Sequence, residues 1–94
     1  MLPVATKFHD QTFTYTQLAR EGMYALYEQQ HKQGDVRRYE VVRLRIRPPH
    51  TWPDGHTTPE HEAYPGATAW GTDGWTFHTR PEAEEALRQL VQRA

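Results

Sequence analysis

The sequence contains no cysteine and no serine, two residue types on which many active sites depend. Without cysteine, the chain has no disulfide, no thiol nucleophile and no thiolate ligand for zinc. Its threonines lie in strand or turn patterns, so no hydroxyl nucleophile activated by a base is apparent. Gly71 and Gly74 lack the third glycine, the lysine and the following helix of a phosphate-binding loop. We therefore expect a protein that is not an enzyme and has no cofactor.

The sequence also lacks a charge bias and a long apolar run. Its 11 basic and 12 acidic side chains give a net charge of −1, which predicts neither general affinity for nucleic acid nor mimicry of it. No apolar segment reaches membrane-spanning length, and Met1-Leu2-Pro3 does not begin a signal peptide. We expect a soluble, cytoplasmic protein that does not associate with a membrane.

The chain of 94 residues has room for one domain with one modest core, typically a sheet and one helical layer. Three Trp, five Tyr and three Phe must supply much of that core. We assign residues 1–94 to a single domain with three landmarks. These are an N-terminal arm at 1–11, a long loop rich in proline and histidine at 48–69, and a C-terminal helix at 80–94.

The stretch from Tyr39 to Arg47 alternates apolar and charged residues, as a strand with two differently solvated faces does. The apolar face is predicted to hold Val42, Leu44 and Ile46. The opposite face is predicted to hold Arg37, Arg43, Arg45 and Arg47. We interpret this stretch as the central strand of a small sheet.

Residues 17–32 allow two interpretations. Thr16 could cap a helix, but the apolar spacing is loose and Gly22 would cost that helix ~1 kcal/mol. Alternatively, the stretch from Thr12 to Thr16, which alternates hydroxyl and aromatic side chains as a strand does, continues as a strand to Arg20. It then turns at Glu21-Gly22 and returns as a second strand, with glycine supplying the positive φ of a tight hairpin. We favour the hairpin.

The C-terminal segment has the clearest helical signals. Thr79-Arg80-Pro81-Glu82 matches a capping box with proline in the first turn. Apolar residues then recur on one stripe: Ala83, Ala86, Leu87, Leu90, Val91 and Ala94. The sequence thus predicts an α+β fold, a small, mainly antiparallel sheet of about four strands in a meander. The helix would cover one face, and the other face would be partly open.

The segment from Pro48 to Gly66 holds five of the seven prolines, which forbid regular strand pairing. It also carries potential metal ligands, namely His50, Asp54, His56, Glu60, His61 and Glu62. Their spacing matches no helical pair of zinc ligands, and histidines on a polar loop need no metal. We expect no metal site here.

The first candidate binding residues are four arginines: Arg37, Arg43, Arg45 and Arg47. On one strand face they would form a basic ridge able to bind phosphates. Alternatively, acidic residues of the neighbouring strand, such as Glu21 or Glu28, neutralise them across the sheet. A third alternative is an acidic protein partner, because arginine is common at protein interfaces.

Trp52 and Tyr64 are the second candidates, because both lie on the proline-rich loop. Most of the other aromatic residues are expected in the core. A tryptophan on a stiff loop loses little entropy on binding, so we interpret Trp52 and Tyr64 as exposed anchors for a partner.

Several short motifs between residues 13 and 90 resemble those of a group of small uncharacterised proteins encoded in bacteriophage and prophage genomes. The motifs are Ala25-Leu26-Tyr27, Tyr39-Glu40-Val41, Ala63-Tyr64-Pro65, Trp70-Gly71 and Gly74-Trp75-Thr76-Phe77. They consist mainly of aromatic, glycine and proline positions, so the resemblance implies no catalytic residue in this chain. It implies a phage origin and location in the cytosol of a bacterial host.

Together these observations favour a non-enzymatic accessory protein that binds a macromolecular partner, expected to be a host protein, and that interferes with a bacterial defence or replication complex. The alternative is a nucleic-acid-binding module that uses the arginine face. Salt separates the two hypotheses, because binding to phosphates weakens steeply as salt rises.

Overall fold

The computed structural model describes residues 1–93, in which the chain forms nine strands and one α-helix. The strands are β1 (Lys7–His9), β2 (Phe13–Glu21), β3 (Tyr24–His31), β4 (Arg37–Arg43), β5 (Arg45–Arg47), β6 (His50–Thr51), β7 (Thr57–Thr58), β8 (His61–Ala63) and β9 (Gly74–Phe77). An antiparallel five-stranded sheet has the order β1-β2-β3-β4-β9, and β5-β8 and β6-β7 form two small antiparallel pairs. The predicted α+β class is confirmed. The main sheet is one strand larger than predicted because β1, within the N-terminal arm, pairs with β2.

The hairpin interpretation of residues 17–32 is correct. Strands β2 and β3 pair along eight positions, from Phe13 opposite His31 to Glu21 opposite Tyr24. Gly22 lies in the turn with a φ of 60°, the left-handed conformation that glycine adopts without steric cost. The register shifts once, between Gln17 and Ala19, which marks a bulge in β2.

The predicted strand from Tyr39 to Arg47 is interrupted. Strand β4 ends at Arg43, and after Leu44 the chain leaves the main sheet and pairs with β8 as β5. Val42 and Leu44 are buried together, but Ile46 is 50% exposed, so its predicted place in the core is wrong. The reason is that β5 belongs to a small separate sheet. The alternating pattern predicts a strand but does not indicate which sheet the strand joins.

One face of the main sheet is covered by the helix α1 (Arg80–Arg93), as predicted. The Thr79 hydroxyl accepts a hydrogen bond from the Glu82 N–H (3.4 Å), as in the predicted capping box, and it donates one to the Glu82 carboxylate (2.8 Å). The buried centre of this layer consists of Leu26, Val41, Ala83 and Leu87. Ala94, predicted on the same stripe, lies outside the described residues. Within residues 1–93 there is no helix long and apolar enough to cross a membrane.

The opposite face of the sheet, predicted to be partly open, is largely covered and also bears an open pocket beside Tyr64. A second core cluster covers it, with Ala25, Tyr27, Val42 and Leu44 at its centre. Partly buried side chains from the N-terminal arm, strand β2 and the segment after β8 pack over it: Val4, Phe8, Tyr15, Met23, Tyr64 and Trp70. Because both faces of β4 are covered, Val41 and Val42 are both fully buried although they point in opposite directions.

The proline-rich segment at 48–69 is more regular than a loop. It contains β6, β7 and β8 and ends in a short 3-10 helix, Ala67–Ala69. Leu2 forms a bridge to His61, so the beginning of the chain joins the same small sheet. This segment places Trp52 on an outer hairpin and Tyr64 against the second core cluster.

Candidate functional site

The outer hairpin formed by β6 and β7 holds Trp52 in a defined position. The Trp52 N–H donates to the His56 carbonyl (2.7 Å), and the Gly55 N–H donates to the Trp52 carbonyl (2.9 Å). Gly55 has a φ of 87°, which the turn requires, and the Asp54 carboxylate accepts from the His56 N–H (2.8 Å). The turn is therefore closed by three hydrogen bonds within five residues.

The indole of Trp52 is fixed and yet exposed. Its Nε1 donates to Oγ1 of Thr58 (2.9 Å), and its ring meets the His50 ring edge-to-face at 4.4 Å. The residue is nevertheless 49% exposed. A large apolar side chain held by a hydrogen bond thus faces solvent. This agrees with the predicted exposure of Trp52.

A shallow open pocket of about 390 Å3 lies beside this indole. We call its lining the Trp52 surface; it consists of Arg47, Pro48, His50, Trp52, Thr58 and His61. Strands β5 and β8 support it, since Arg47 lies opposite His61 in their ladder. The exposed side chains of Leu2 and Ile46 lie on the same small sheet.

Arg43 and Arg45 do not form an open basic ridge, because both bind the carboxylate of Asp73. Arg43 donates from Nε (2.8 Å) and Nη2 (2.5 Å), and Arg45 donates from Nε (3.0 Å) and Nη2 (2.9 Å). Asp73 is only 7% exposed. The hydrogen bonds from Arg45 and Arg43 hold the pKa of Asp73 below its ordinary value of 3.8, although burial opposes them.

The other two predicted arginines lie apart from this pair. Arg37 is at the opposite end of β4, where its guanidinium approaches the Glu28 carboxylate at 3.9 Å, one of the acidic neighbours that the sequence analysis named. Arg47 lies in β5 and makes no ion pair within residues 1–93. Arg47 alone of the four predicted arginines lines the Trp52 surface.

Tyr64 is not an exposed anchor, which corrects the prediction. Its ring packs edge-to-face against Phe8 (5.2 Å) and Tyr27 (5.2 Å) in the second core cluster. Its hydroxyl donates a 2.5 Å hydrogen bond to the Glu40 carboxyl group. Burial, with the nearby Glu40 carboxylate, raises the pKa of Tyr64 far above its ordinary value, so the hydroxyl remains a donor.

Next to Tyr64 the structure has a pocket of about 470 Å3, which we call the aromatic pocket. It is lined by Phe8, Asp10, Tyr15, Glu40, Tyr64, Pro65, Ala67 and Trp70. Phe8 and Tyr15 stack at 4.6 Å with nearly parallel rings, and the Trp70 indole donates to Oγ1 of Thr76 (2.9 Å). A side chain at Gly74 would collide with the Trp70 ring, since its Cβ would lie 2.6 Å from a ring carbon.

Two carboxyl groups whose pKa values shift in opposite directions border the aromatic pocket. Burial raises the pKa of Glu40 above its ordinary value, while hydrogen bonds from Tyr64 and Thr76 oppose part of this effect. Backbone N–H groups of Phe13 and Thr12 donate to Asp10 at 2.7 Å each and lower the pKa of that exposed carboxylate. Asp10 therefore carries its negative charge at neutral pH.

The histidines of the proline-rich segment have separate roles. His50 packs on Trp52, the His56 carbonyl closes the hairpin, and the His61 ring lies 3.0 Å from the Pro59 carbonyl. Among the residues that the structure describes, no group of three His, Asp or Glu side chains is arranged to hold a metal ion.

Asp73 and Glu40 are site residues that were not predicted from the sequence. Asp73 is in a glycine-rich turn 28 residues after Arg45, and no local pattern links the two. Glu40 did leave a signal, because the alternation that buries Val42 and Leu44 places it on the same face. A carboxyl group on an apolar face is a site candidate.

Comparisons with protein families, with curated proteins and with solved structures found no match to this chain. The candidate sites must therefore be judged on their own geometry.

Proposed function

We propose that this chain is a non-enzymatic domain that binds a partner protein through the Trp52 surface. The observation that carries the proposal is the fixed yet half-exposed indole of Trp52. Exposed aromatic side chains that are ordered before binding lose little entropy in a complex, and tryptophan is enriched among residues that dominate binding energy.

The charge around the indole favours a partner surface that combines an apolar pocket with acidic groups. Arg47 borders the Trp52 surface and makes no ion pair within residues 1–93. A guanidinium group can bind a carboxylate with two parallel hydrogen bonds. Trp52 would insert into the apolar pocket of the partner, and Arg47 would orient the complex by binding a carboxylate of the partner.

The resemblance to small phage-encoded proteins suggests the source of this partner. We propose a protein of the bacterial host cytosol, such as a component of a defence or replication complex with which the chain interferes. This part of the proposal depends on the resemblance alone.

The test begins with capture of partners from a bacterial lysate on immobilised protein, identification by mass spectrometry, and calorimetric titration of the purified candidate. Trp52→Ala should weaken binding by about 2 kcal/mol or more. Val36→Ala is the matched control, because Val36 is an exposed apolar residue at 64% but lies outside the Trp52 surface. Equal affinity of the two variants would contradict the proposal.

The nucleic-acid alternative is tested on the same preparations with fluorescent duplex and single-stranded probes. A protein-binding domain should bind them weakly at physiological salt. Tight binding that falls steeply as salt rises would favour the alternative. Arg47→Gln is the informative variant, because Arg43 and Arg45 are already bound to Asp73.

A further inference from the structure

The aromatic pocket is built from parts of the chain that the Trp52 surface does not use. Phe8 and Asp10 come from the N-terminal arm, Tyr15 from β2, Glu40 from β4, and Tyr64 from the segment after β8. Four segments of the chain thus meet at one concavity. Its volume of about 470 Å3 falls within the range of small-molecule sites, roughly 300 to 1,000 Å3.

The walls of the pocket are four aromatic rings that contact one another. Phe8 stacks on Tyr15, and Tyr64 meets Phe8 edge-on at 5.2 Å and lies 6.4 Å from Trp70. The faces of such rings carry partial negative charge and attract cations within about 6 Å of the ring centre. The rings therefore provide an apolar wall that also favours positive charge.

The ionisable side chains that line the pocket are all acids. Asp10 is ionised at the rim, and Glu40 lies deeper, 7% exposed, with its carboxyl group held by Tyr64. No basic side chain is among the residues that line the pocket. An anion would meet two carboxyl groups in the lining, whereas the positive charge of Lys32, which acts on Asp10, lies outside the lining. This arrangement would oppose the binding of an anion.

The lining also argues against a metal ion. Hard cations take six or more oxygen ligands, and magnesium or calcium would find mostly ring carbons here. The complementary ligand has positive charge spread over an apolar surface, as in a methylated ammonium group.

We propose that the aromatic pocket binds an organic ammonium ion, with the cation against the rings of Phe8, Tyr15, Tyr64 and Trp70 and the Asp10 carboxylate at the rim. The carboxyl group of Glu40, fixed by the Tyr64 hydroxyl, forms the acidic floor. This site is separate from the Trp52 surface, so either can exist without the other.

The direct test is titration of the 15N-labelled protein with tetramethylammonium, observed by NMR. Resonances of the pocket residues should shift saturably, with a dissociation constant on the order of 1 mM for so small a probe. The matched neutral probe is tert-butanol, which has a similar shape and no charge. Equal shifts with both probes would show a merely apolar pocket and would overturn the proposal, as would the absence of shifts with tetramethylammonium.

Asp10→Asn tests the charge with little change of shape, because an amide oxygen still accepts the N–H groups of Thr12 and Phe13. Binding of tetramethylammonium should weaken roughly threefold to tenfold. Asp54→Asn is the control, since Asp54 accepts a backbone N–H in the same manner but on the outer hairpin. Equal weakening in both variants, or in neither, would contradict a role for the Asp10 charge.

The ammonium group can belong to a free molecule or to a modified protein side chain. Choline and a peptide that carries trimethyl-lysine represent these two sources. The probe that binds with the lower dissociation constant identifies the source. Trp52→Ala should leave the affinity of either probe unchanged, which separates this proposal from the proposed function. Loss of ammonium binding in Trp52→Ala would overturn the assignment to the aromatic pocket.

Discussion

Arg20 and Glu62 form a two-pronged ion pair, in which Nη1 and Nη2 of the guanidinium each donate a 2.6 Å hydrogen bond to a separate carboxylate oxygen. The backbone N–H of Val4 donates to the same carboxylate at 3.1 Å. Strand β2 of the main sheet, strand β8 of the small sheet and the N-terminal arm therefore meet at one group. Because β8 supports the Trp52 surface, this pair fixes that surface to the body of the domain.

The first prediction is a loss of stability in acid that depends on Glu62. Hydrogen bonds from Arg20 and Val4 lower the pKa of Glu62 from 4.5 to about 2 in the folded state. A carboxyl group with a lowered folded-state pKa stabilises the fold fully above its unfolded value, and this contribution disappears as the pH falls through the folded value. Urea unfolding should thus show stability falling between pH 4.5 and about 2.

Glu62→Gln should flatten part of this pH dependence. Asp10 and Asp73 also have lowered pKa values and contribute in the same direction, so some dependence should remain. The neighbouring exposed Glu60→Gln is the control and should keep the wild-type profile. If Glu62→Gln also keeps it, the ion pair does not stabilise the fold.

The second prediction compares two exposed glycines that differ in the sign of φ. A Cβ would meet no atom within 4 Å at either Gly22 or Gly66, but φ is 60° at Gly22 and −76° at Gly66. Gly22→Ala should destabilise the fold by about 1 to 2 kcal/mol, because alanine is strained in the left-handed region. Gly66→Ala should be neutral or stabilising by up to about 1 kcal/mol, since it restricts the unfolded chain. Equal effects in urea unfolding would argue against the β2–β3 turn.

Local signals were sufficient for the hairpin and the helix. Gly22 between two apolar stretches and the capping box at Thr79 act within a few residues, so the sequence expresses them directly. The alternation in β4 also predicts the burial of Val42 and Leu44 correctly. Beyond that point the chain pairs with β8, whose partner is set by tertiary contacts rather than by the pattern of β5.

The candidate sites were harder to predict for the same reason. The exposed Trp52 followed from prolines and a glycine turn around it, which are local. The burial of Tyr64 depends on Phe8 and Tyr27, far away in sequence, and the pairing of Arg45 depends on Asp73. Binding of a partner by any of these residues stays a prediction.

The third prediction concerns the docking of α1 on the sheet. Leu87 is 6% exposed and packs in the cluster of Leu26 and Val41, so Leu87→Ala should destabilise the fold by about 2 to 5 kcal/mol. Leu90→Ala should cost less, because Leu90 is only partly buried. The exposed Gln92→Ala should change stability by about 0.5 kcal/mol or less. These values come from urea unfolding, and similar losses at Leu87 and Gln92 would show that the helix is not docked.

The last prediction follows from the carboxylate that Arg43 and Arg45 share. Replacing both arginines with glutamine would leave the charge of Asp73 buried without a cation, and a buried unpaired charge destabilises a fold more than the pair stabilises it. The double variant should therefore unfold at lower urea concentration than wild type. Adding Asp73→Asn should restore part of the loss, because the unpaired charge is then removed.

Arg47→Gln is the matched control for that double variant and should leave the unfolding midpoint unchanged, since Arg47 makes no ion pair within residues 1–93. The same set of variants separates a structural from a binding role. If the double variant is as stable as wild type, the ion pairs with Asp73 do not stabilise the fold, and Arg43 and Arg45 remain candidates for binding a phosphate. If Asp73→Asn restores stability, the first role of both arginines is to neutralise Asp73, and Arg47 is left as the arginine available to a partner.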